Sequence, residues 1–260
     1  VSHQPRKRFG QNFLRSAAAI HSLMQVMMLQ PDDCVVEIGP GLGALTQEML
    51  PVLQHLTAIE IDRDLFVELQ KIPQAEEKLN LILADALTFD FSSLTQKPHH
   101  LRVIGNLPYN ISSPLLFHLL DYLPIIKDMH FLLQKEVVDR MAAKPGTKEY
   151  GRLSVMIQYC CDVKPLHKVK PGAFWPVPKV DSSFVRLIPK EKIYSALDYE
   201  NFAALVTAAF SQRRKTLRNS LRSFVSDSVM LTVGINPKQR AEELKVDDFV
   251  TLSNHVVQNK

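Results

Sequence analysis

The chain has 260 residues, 46% hydrophobic and 22% charged, with a formal net charge of +4 at pH 7. That suffices for one large domain and a smaller one, and it excludes a chain dominated by disorder. The longest apolar runs are far short of the ~20 residues a membrane helix needs, and no charged-then-apolar leader opens the chain, so a cytoplasmic location with no membrane partner is expected.

In chain order, Ile20, Leu23, Met24 and Met27 recur at helical spacing behind Ser16, which predicts a capped helix over 16–28. Strand Cys34 to Ile38 follows, then a helix from Ala44, strand Leu56 to Ile61, a helix near 63–71 and strand Leu79 to Ala84. Strand Leu101 to Ile104, a helix from Ser113 to Leu120 and strand His130 to Leu133 continue the alternation. Such a βαβ succession predicts a doubly wound, mostly parallel sheet that binds ligands at its strands' carboxyl ends. After Val155 to Cys161, the stretch 163–188 reads as an extended hairpin with Pro171, Pro176 and Pro178 in its connection, closing the sheet. From 198 onward Gly and Pro are scarce and apolar residues recur at three and four. A small helical domain is therefore expected over 191–260, after a linker near Pro189 to Ala196 and a first domain over 1–190.

Cys34, Cys160 and Cys161 are too few and wrongly spaced for zinc, so reduced thiols and no metal are expected. The charges are segregated. Residues 16–90 hold twelve acids against Arg63, Lys71 and Lys78, whereas Arg6, Lys7, Arg8 and Arg15 open the chain without an acid. Lys164, Lys168, Lys170, Lys179, Arg186 and Lys190 face only Asp181, and Arg213, Arg214, Lys215, Arg218 and Arg222 are unopposed within 201–226. On a helix, Arg214, Arg218 and Arg222 share one face beside an apolar stripe of Leu217, Leu221 and Val225. Three such clusters point toward nucleic acid, with Phe9, Phe13, Phe174 and Trp175 as further stacking surfaces.

The loop Glu37-Ile38-Gly39-Pro40-Gly41-Leu42-Gly43-Ala44 follows the first parallel strand and lets backbone approach a ligand closely. Alone it is ambiguous between a dinucleotide and an adenosine-type cofactor. Glu60, ending the next strand, is placed to accept from a ribose diol; Asp85 can accept from an adenine amine, with Ala86 supplying a backbone N–H. Gly105-Asn106-Leu107-Pro108-Tyr109 ends a further strand. The Asn106 amide oxygen and the Leu107 carbonyl can take the two hydrogens of an exocyclic amine, Pro108 stiffens the turn, and Tyr109 offers a stacking face. A plain strand-to-helix turn with a capping Ser112 uses the same residue types.

Together with Phe9-Gly10-Gln11-Asn12-Phe13-Leu14 and Phe174-Trp175-Pro176-Val177-Pro178-Lys179-Val180-Asp181-Ser182, these motifs resemble the ribosomal RNA adenine dimethyltransferase family, in family order from residue 9 to about 188. Phe210 to Leu221 resembles the C-terminal helix of its small-subunit branch. The resemblance implies a class I, Rossmann-like methyltransferase: a mostly parallel seven-stranded sheet with a C-terminal antiparallel hairpin, plus a small all-helical domain. It implies S-adenosyl-L-methionine as methyl donor, S-adenosyl-L-homocysteine as product, and dimethylation of two adjacent adenosines in the 3′-terminal hairpin of bacterial 16S rRNA. It places the cofactor among Asn12, Leu14, Gly39, Gly41, Glu60, Ile61, Asp85, Ala86 and Asn106, and stacks the target adenine between Tyr109 and Phe174. Arg6, Lys7, Arg8, Arg214, Arg218 and Arg222 are expected on RNA phosphates, immature 30S subunits are the expected partner, and nothing demands a dimer or another protein. A large-subunit RNA dimethyltransferase, a DNA adenine methyltransferase and an assembly checkpoint are the rival readings.

Overall fold

A computed structural model describes residues 6, 10–191, 195–212 and 214–259; Lys7, Arg8, Phe9 and Arg213, singled out above, lie outside the described residues. Strand β1 (Phe13–Leu14) precedes helix α1 (Ala17–Met27), whose Ser16 side chain caps it by accepting from the Ala19 N–H at 3.3 Å. The alternation then runs β2 (Cys34–Ile38), α2 (Thr46–Met49), β3 (Leu56–Glu60), α3 (Arg63–Leu69), α4 (Ala75–Lys78), β4 (Leu79–Leu83), β5 (Leu101–Asn106), α5 (Ser112–Leu120) and β6 (Ile126–Gln134). Helices α6 (Lys135–Ala142) and α7 (Arg152–Cys160) separate β6 from β7 (Cys161–Val169), β8 (Phe174–Trp175) and β9 (Ser182–Pro189). The remainder is helical: α8 (Tyr199–Phe210), α9 (Leu217–Ser220), α10 (Asp227–Thr232) and α11 (Val246–Gln258).

The seven-stranded sheet has the order β4-β3-β2-β5-β6-β9-β7. β4, β3, β2, β5 and β6 are parallel, while β9 runs antiparallel to β6, so the expected hairpin does close the sheet. Apolar runs without alternation mark strands covered on both faces, as in β2 and β5, whose side chains are almost all buried. Leu23 and Met27 of α1 pack into one cluster with Val35, Ile104, Leu132 and Phe184, each buried apolar side chain contributing about 1.5–3 kcal/mol. Chain order reverses between β2 and β5, and their carboxyl ends flank the crevice where doubly wound folds bind ligands.

The chain forms two compact units: one comprises the residues up to Val138 with Lys164–Pro189, the other Asp139–Val163 with the residues from Lys190. Against the expected division after residue 190, Asp139–Val163 therefore groups with the C-terminal helices. The reason is aromatic packing: Tyr159 of α7 lies 4.5 Å from Phe202 of α8, and Tyr150 lies 6.2 Å from Phe210, centroid to centroid.

The helix expected to carry Arg214, Arg218 and Arg222 on one face is broken. α8 stops at Phe210, and α9 has only four residues. A continuous helix would send the N–H groups of Leu217 and Arg218 to the carbonyls four residues back, but they donate to Gln239 O at 2.8 Å and Pro237 O at 3.0 Å. The apolar stripe is nonetheless real, since Leu217, Leu221 and Val225 are all buried.

Candidate active site

The carboxyl ends of β2, β3, β4 and β5 surround a cavity of about 200 Å³, lined by the 39–44 loop, Glu60, Ile61, Asp85, Ala86, Asn106 to Tyr109 and, from the N-terminal segment, Gly10 to Leu14. Gly39 and Gly41 have φ of +64° and +62°, in the left-handed region that side chains disfavour, and a Cβ at Gly41 would lie 3.0 Å from the Phe13 ring. Gly105 has a different task. A Cβ there would sit 2.8 Å from Ile38 O and from Leu107 Cδ2, so only glycine lets β5 and β2 end side by side.

Glu60 is 4% exposed and accepts three backbone N–H groups: Ile61 and Asp62 on Oε1, both at 2.9 Å, and Gly41 on Oε2 at 3.2 Å. Burial pushes its carboxyl above the ordinary range, and those N–H bonds oppose the push. A carboxylate has about four acceptor positions, so one on Oε2 is left without a protein donor among the described residues. Below it, Glu37 is buried and accepts from the Thr46 hydroxyl at 2.6 Å; burial, reinforced by Glu60, pushes its carboxyl up to about 7. Asp85 is exposed and accepts from the Leu87 N–H at 2.9 Å through Oδ1.

At the end of β5 the Asn106 Nδ2 donates to Asn12 O at 2.9 Å, which ties the N-terminal segment to the pocket wall and fixes the amide's orientation. Oδ1 of Asn106 then faces away from that bond with no protein donor among the described residues. The Leu107 carbonyl likewise accepts no bond among them, while the Leu107 N–H reaches back to Leu132 O at 3.2 Å. Tyr109 is half-buried, its hydroxyl 3.0 Å from Ser182 Oγ, and burial raises its pKa. Ser112 lies in the first turn of α5 rather than at its cap and donates to Tyr109 O at 3.1 Å.

Two expectations are corrected. Phe174 is 4% exposed and packs with Leu14 and Phe184 in the core cluster instead of lining the cavity opposite Tyr109. Pairing of β1 with β8 places it beside Leu14 and turns both inward. Arg6 is not a free phosphate ligand: it pairs with Asp62 at 3.0 Å and with Asp64, while Gln11 Nε2 donates to Asp62 at 3.2 Å. These contacts tie Arg6 and Gln11 to the first turn of α3. Arg218 is paired with Asp227, whereas Arg214 and Arg222 are exposed. The three cysteines are free, and no group of three or more His, Cys, Asp or Glu among the described residues is placed to hold a metal ion. No helix among those residues is long and apolar enough to cross a membrane.

A parallel sheet reversed at β2/β5, a glycine cradle, a carboxylate at the end of the neighbouring strand and an acceptor-lined turn beyond it fit a nucleoside cofactor beside an amine substrate. They define a class I methyltransferase dependent on S-adenosyl-L-methionine. Residues 2–258 match the model of the ribosomal RNA adenine dimethylase family, and the chain belongs to that family. It is 50% identical to "Ribosomal RNA small subunit methyltransferase A" of Nitrosococcus oceani over 98% of this chain and 97% of that one. The protein of the same name from Chromobacterium violaceum is 51% identical over 98% and 96%. Among solved structures, a dimethyladenosine transferase from Plasmodium falciparum superposes with a TM-score of 0.79 at 28% identity, covering 92% of this chain and 95% of that one. The 23S rRNA methyltransferase ErmE gives 0.72 at 26% identity, covering 95% and 100%.

Proposed function

We propose that the chain transfers methyl groups from S-adenosyl-L-methionine to the N6 amines of two adjacent adenosines in the 3′-terminal hairpin loop of 16S rRNA. The products are N6,N6-dimethyladenosines and S-adenosyl-L-homocysteine, and the reaction takes place on immature 30S subunits in the cytoplasm, with the enzyme acting as a monomer. The observation that carries this reading is the pair of acceptors at the end of β5: Asn106 Oδ1 and the Leu107 carbonyl, in a pocket wall where Asn106 Nδ2 is already committed to Asn12 O.

An adenine amine is a weak nucleophile because its lone pair is delocalised into the ring. Accepting both of its N–H bonds favours a pyramidal nitrogen whose lone pair points into the cavity, and Pro108 keeps the two acceptors in register. Asn12, Leu14, Gly39, Gly41, Glu60, Ile61, Asp85 and Ala86 hold the cofactor, which when bound supplies a methyl group already activated by its sulfonium charge. Alignment of the two reactants contributes about 7–11 kcal/mol of barrier lowering. No strong base is needed, since the cationic amine formed is acidic enough to release its proton to water. Tyr109 supplies the stacking face for the extruded base; Phe174 acts from behind by fixing Leu14.

The target must be unpaired, because a duplex hides its amine. The second, helical unit is the RNA-recognition part of this reading. Arg214 and Arg222 bind phosphate there, and Lys7 and Arg8 of the N-terminal tail bind phosphate as well, while Arg218 and Arg6 do so when RNA displaces their carboxylate partners. Mass spectrometry of unmethylated 30S subunits incubated with the protein and isotopically labelled cofactor tests the proposal. Two adjacent dimethyladenosines carrying four labelled methyl groups are expected; label elsewhere, or none, overturns it.

A further inference from the structure

Next to the pocket, the β1–β8 ribbon carries a tier of rings that methyl transfer itself does not use. In that ribbon Phe13 faces Trp175 and Leu14 faces Phe174. Leu14 and Phe174 turn into the core, so Phe13 and Trp175 occupy the ribbon's opposite face. The Phe13 ring lines the pocket against the Gly41 backbone and stacks with Trp175, centroids 6.3 Å apart and planes 23° from parallel. The exposed Arg15 guanidinium then lies 4.4 Å over the Trp175 ring. Pocket, Phe13, Trp175 and Arg15 thus form a continuous series leading outward. The connection that carries Trp175 also bears Lys179 and Lys170, the latter 3.8 Å from Asp181, together with Val177 and Val180, which are 64% and 45% exposed.

We propose that Trp175 and Arg15 form a second nucleobase site, a platform that stacks an unpaired RNA base adjacent to the adenosine held in the pocket. The inference rests on the reading that an extruded adenosine enters that pocket. Extruding one base from a loop strips its neighbour of stacking, and a planar cation laid on an indole offers that neighbour a replacement face. Cationic side chains on the same connection suit the phosphates that flank such a base, and stacking tolerates any base because every base has a π-face. With two adjacent adenosines as substrates, the platform holds one while the other reacts.

Trp175 is the only tryptophan in the chain, so its emission reports the platform directly. Titrating the full-length protein with an RNA hairpin whose loop holds two adjacent adenosines should quench that emission, and a blunt duplex of equal charge should quench it far less. With 30S subunits as substrate, Trp175→Ala should raise KM about tenfold, more than it lowers kcat, while Trp175→Phe recovers most of the loss and Arg15→Gln falls between. Emission that stays constant while the hairpin binds, or a KM unmoved in Trp175→Ala, overturns the platform. The titration is read whether or not methyl groups are transferred, so failure of the platform and failure of the methylation reading are told apart.

Discussion

At the amino ends of β2, β5 and β6, Arg102 donates to Asp128 through Nε at 2.9 Å and Nη2 at 3.0 Å, to Asp33 at 2.6 Å and to Met27 O at 2.8 Å. Arg186 adds a bond to Asp128 at 2.8 Å, and Lys127 one to Asp33 at 2.9 Å. At the carboxyl ends of the same sheet, Asn106 Oδ1, the Leu107 carbonyl and one position on Glu60 have no protein donor among the described residues. Both regions concentrate polar groups in a largely apolar sheet, yet one closes its hydrogen bonds internally and the other keeps acceptors in reserve. The open acceptors line the pocket, where a ligand can meet them, while the closed network marks structure. Asp128 illustrates the closed case: burial alone pushes its carboxyl up, and the charges of Arg102, His130 and Arg186 outweigh that and hold it below the ordinary range.

Breaking the closed network should have the largest effect. Arg102→Ala leaves Asp128 and Asp33 buried beside only Arg186 and Lys127, and a loss of about 3–5 kcal/mol in urea unfolding is expected, toward the lower end because those partners persist. A loss below about 1 kcal/mol would show that the network is not the brace described here.

Next in size is a pair of opposed pH effects. The Glu37 carboxyl is pushed from 4.5 up to about 7, so between those values the folded chain keeps a proton that the unfolded chain releases, and stability falls as pH rises, by about 3 kcal/mol. His130 is buried with both ring nitrogens unbonded, and burial pulls it from 6.5 down to about 4. There the unfolded chain holds the extra proton, so stability rises with pH across that window by a similar amount, about 3 kcal/mol. The two nearly offset each other up to pH 6.5, above which Glu37 acts alone. Urea midpoints against pH should therefore climb through the acidic range in Glu37→Gln and decline toward neutrality in His130→Leu. Parallel curves for the two variants would contradict both assignments.

The open region is probed by Asn106→Ala, which removes the reserved acceptor and the tie to Asn12 together. Single-turnover methylation should fall about 100-fold, while the thermal midpoint moves by less than about 4 °C. Equal damage to folding and rate would place Asn106 with the structural groups instead.

The parallel strands and the pocket turns were readable because their evidence is local: unbroken apolar runs, glycines before a helix, Asn-Leu-Pro-Tyr after a strand. What escaped is nonlocal. The apolar spacing of Leu217, Leu221 and Val225 is helical, but whether the Leu217 N–H bonds back along a helix or across to Gln239 is decided by a turn twenty residues on. Likewise, nothing near Phe174 announces that β8 pairs with β1 and turns that ring inward, and nothing near Arg6 announces Asp62. Glu37 was in plain view, yet its raised pKa depends on burial beside Glu60, which only the folded sheet supplies.

The smallest effect carries the same contrast to the surface of the helical unit. Arg218 is engaged by Asp227, whereas Arg214 and Arg222 have no ion-pair partner among the described residues. Each phosphate neutralised adds about 0.7–0.9 to the slope of log affinity against log salt, so Arg214→Gln with Arg222→Gln should flatten that slope by about 1.5 in 30S binding. Arg218→Gln should change it less, because breaking an existing pair offsets part of what the phosphate contact contributes. Cofactor affinity should be unaffected in both variants, since none of these residues lines the pocket. If Arg218→Gln instead flattens the slope by as much as a full phosphate contact, then RNA displaces Asp227, and a pair that looks closed in the free protein is an open one in the complex.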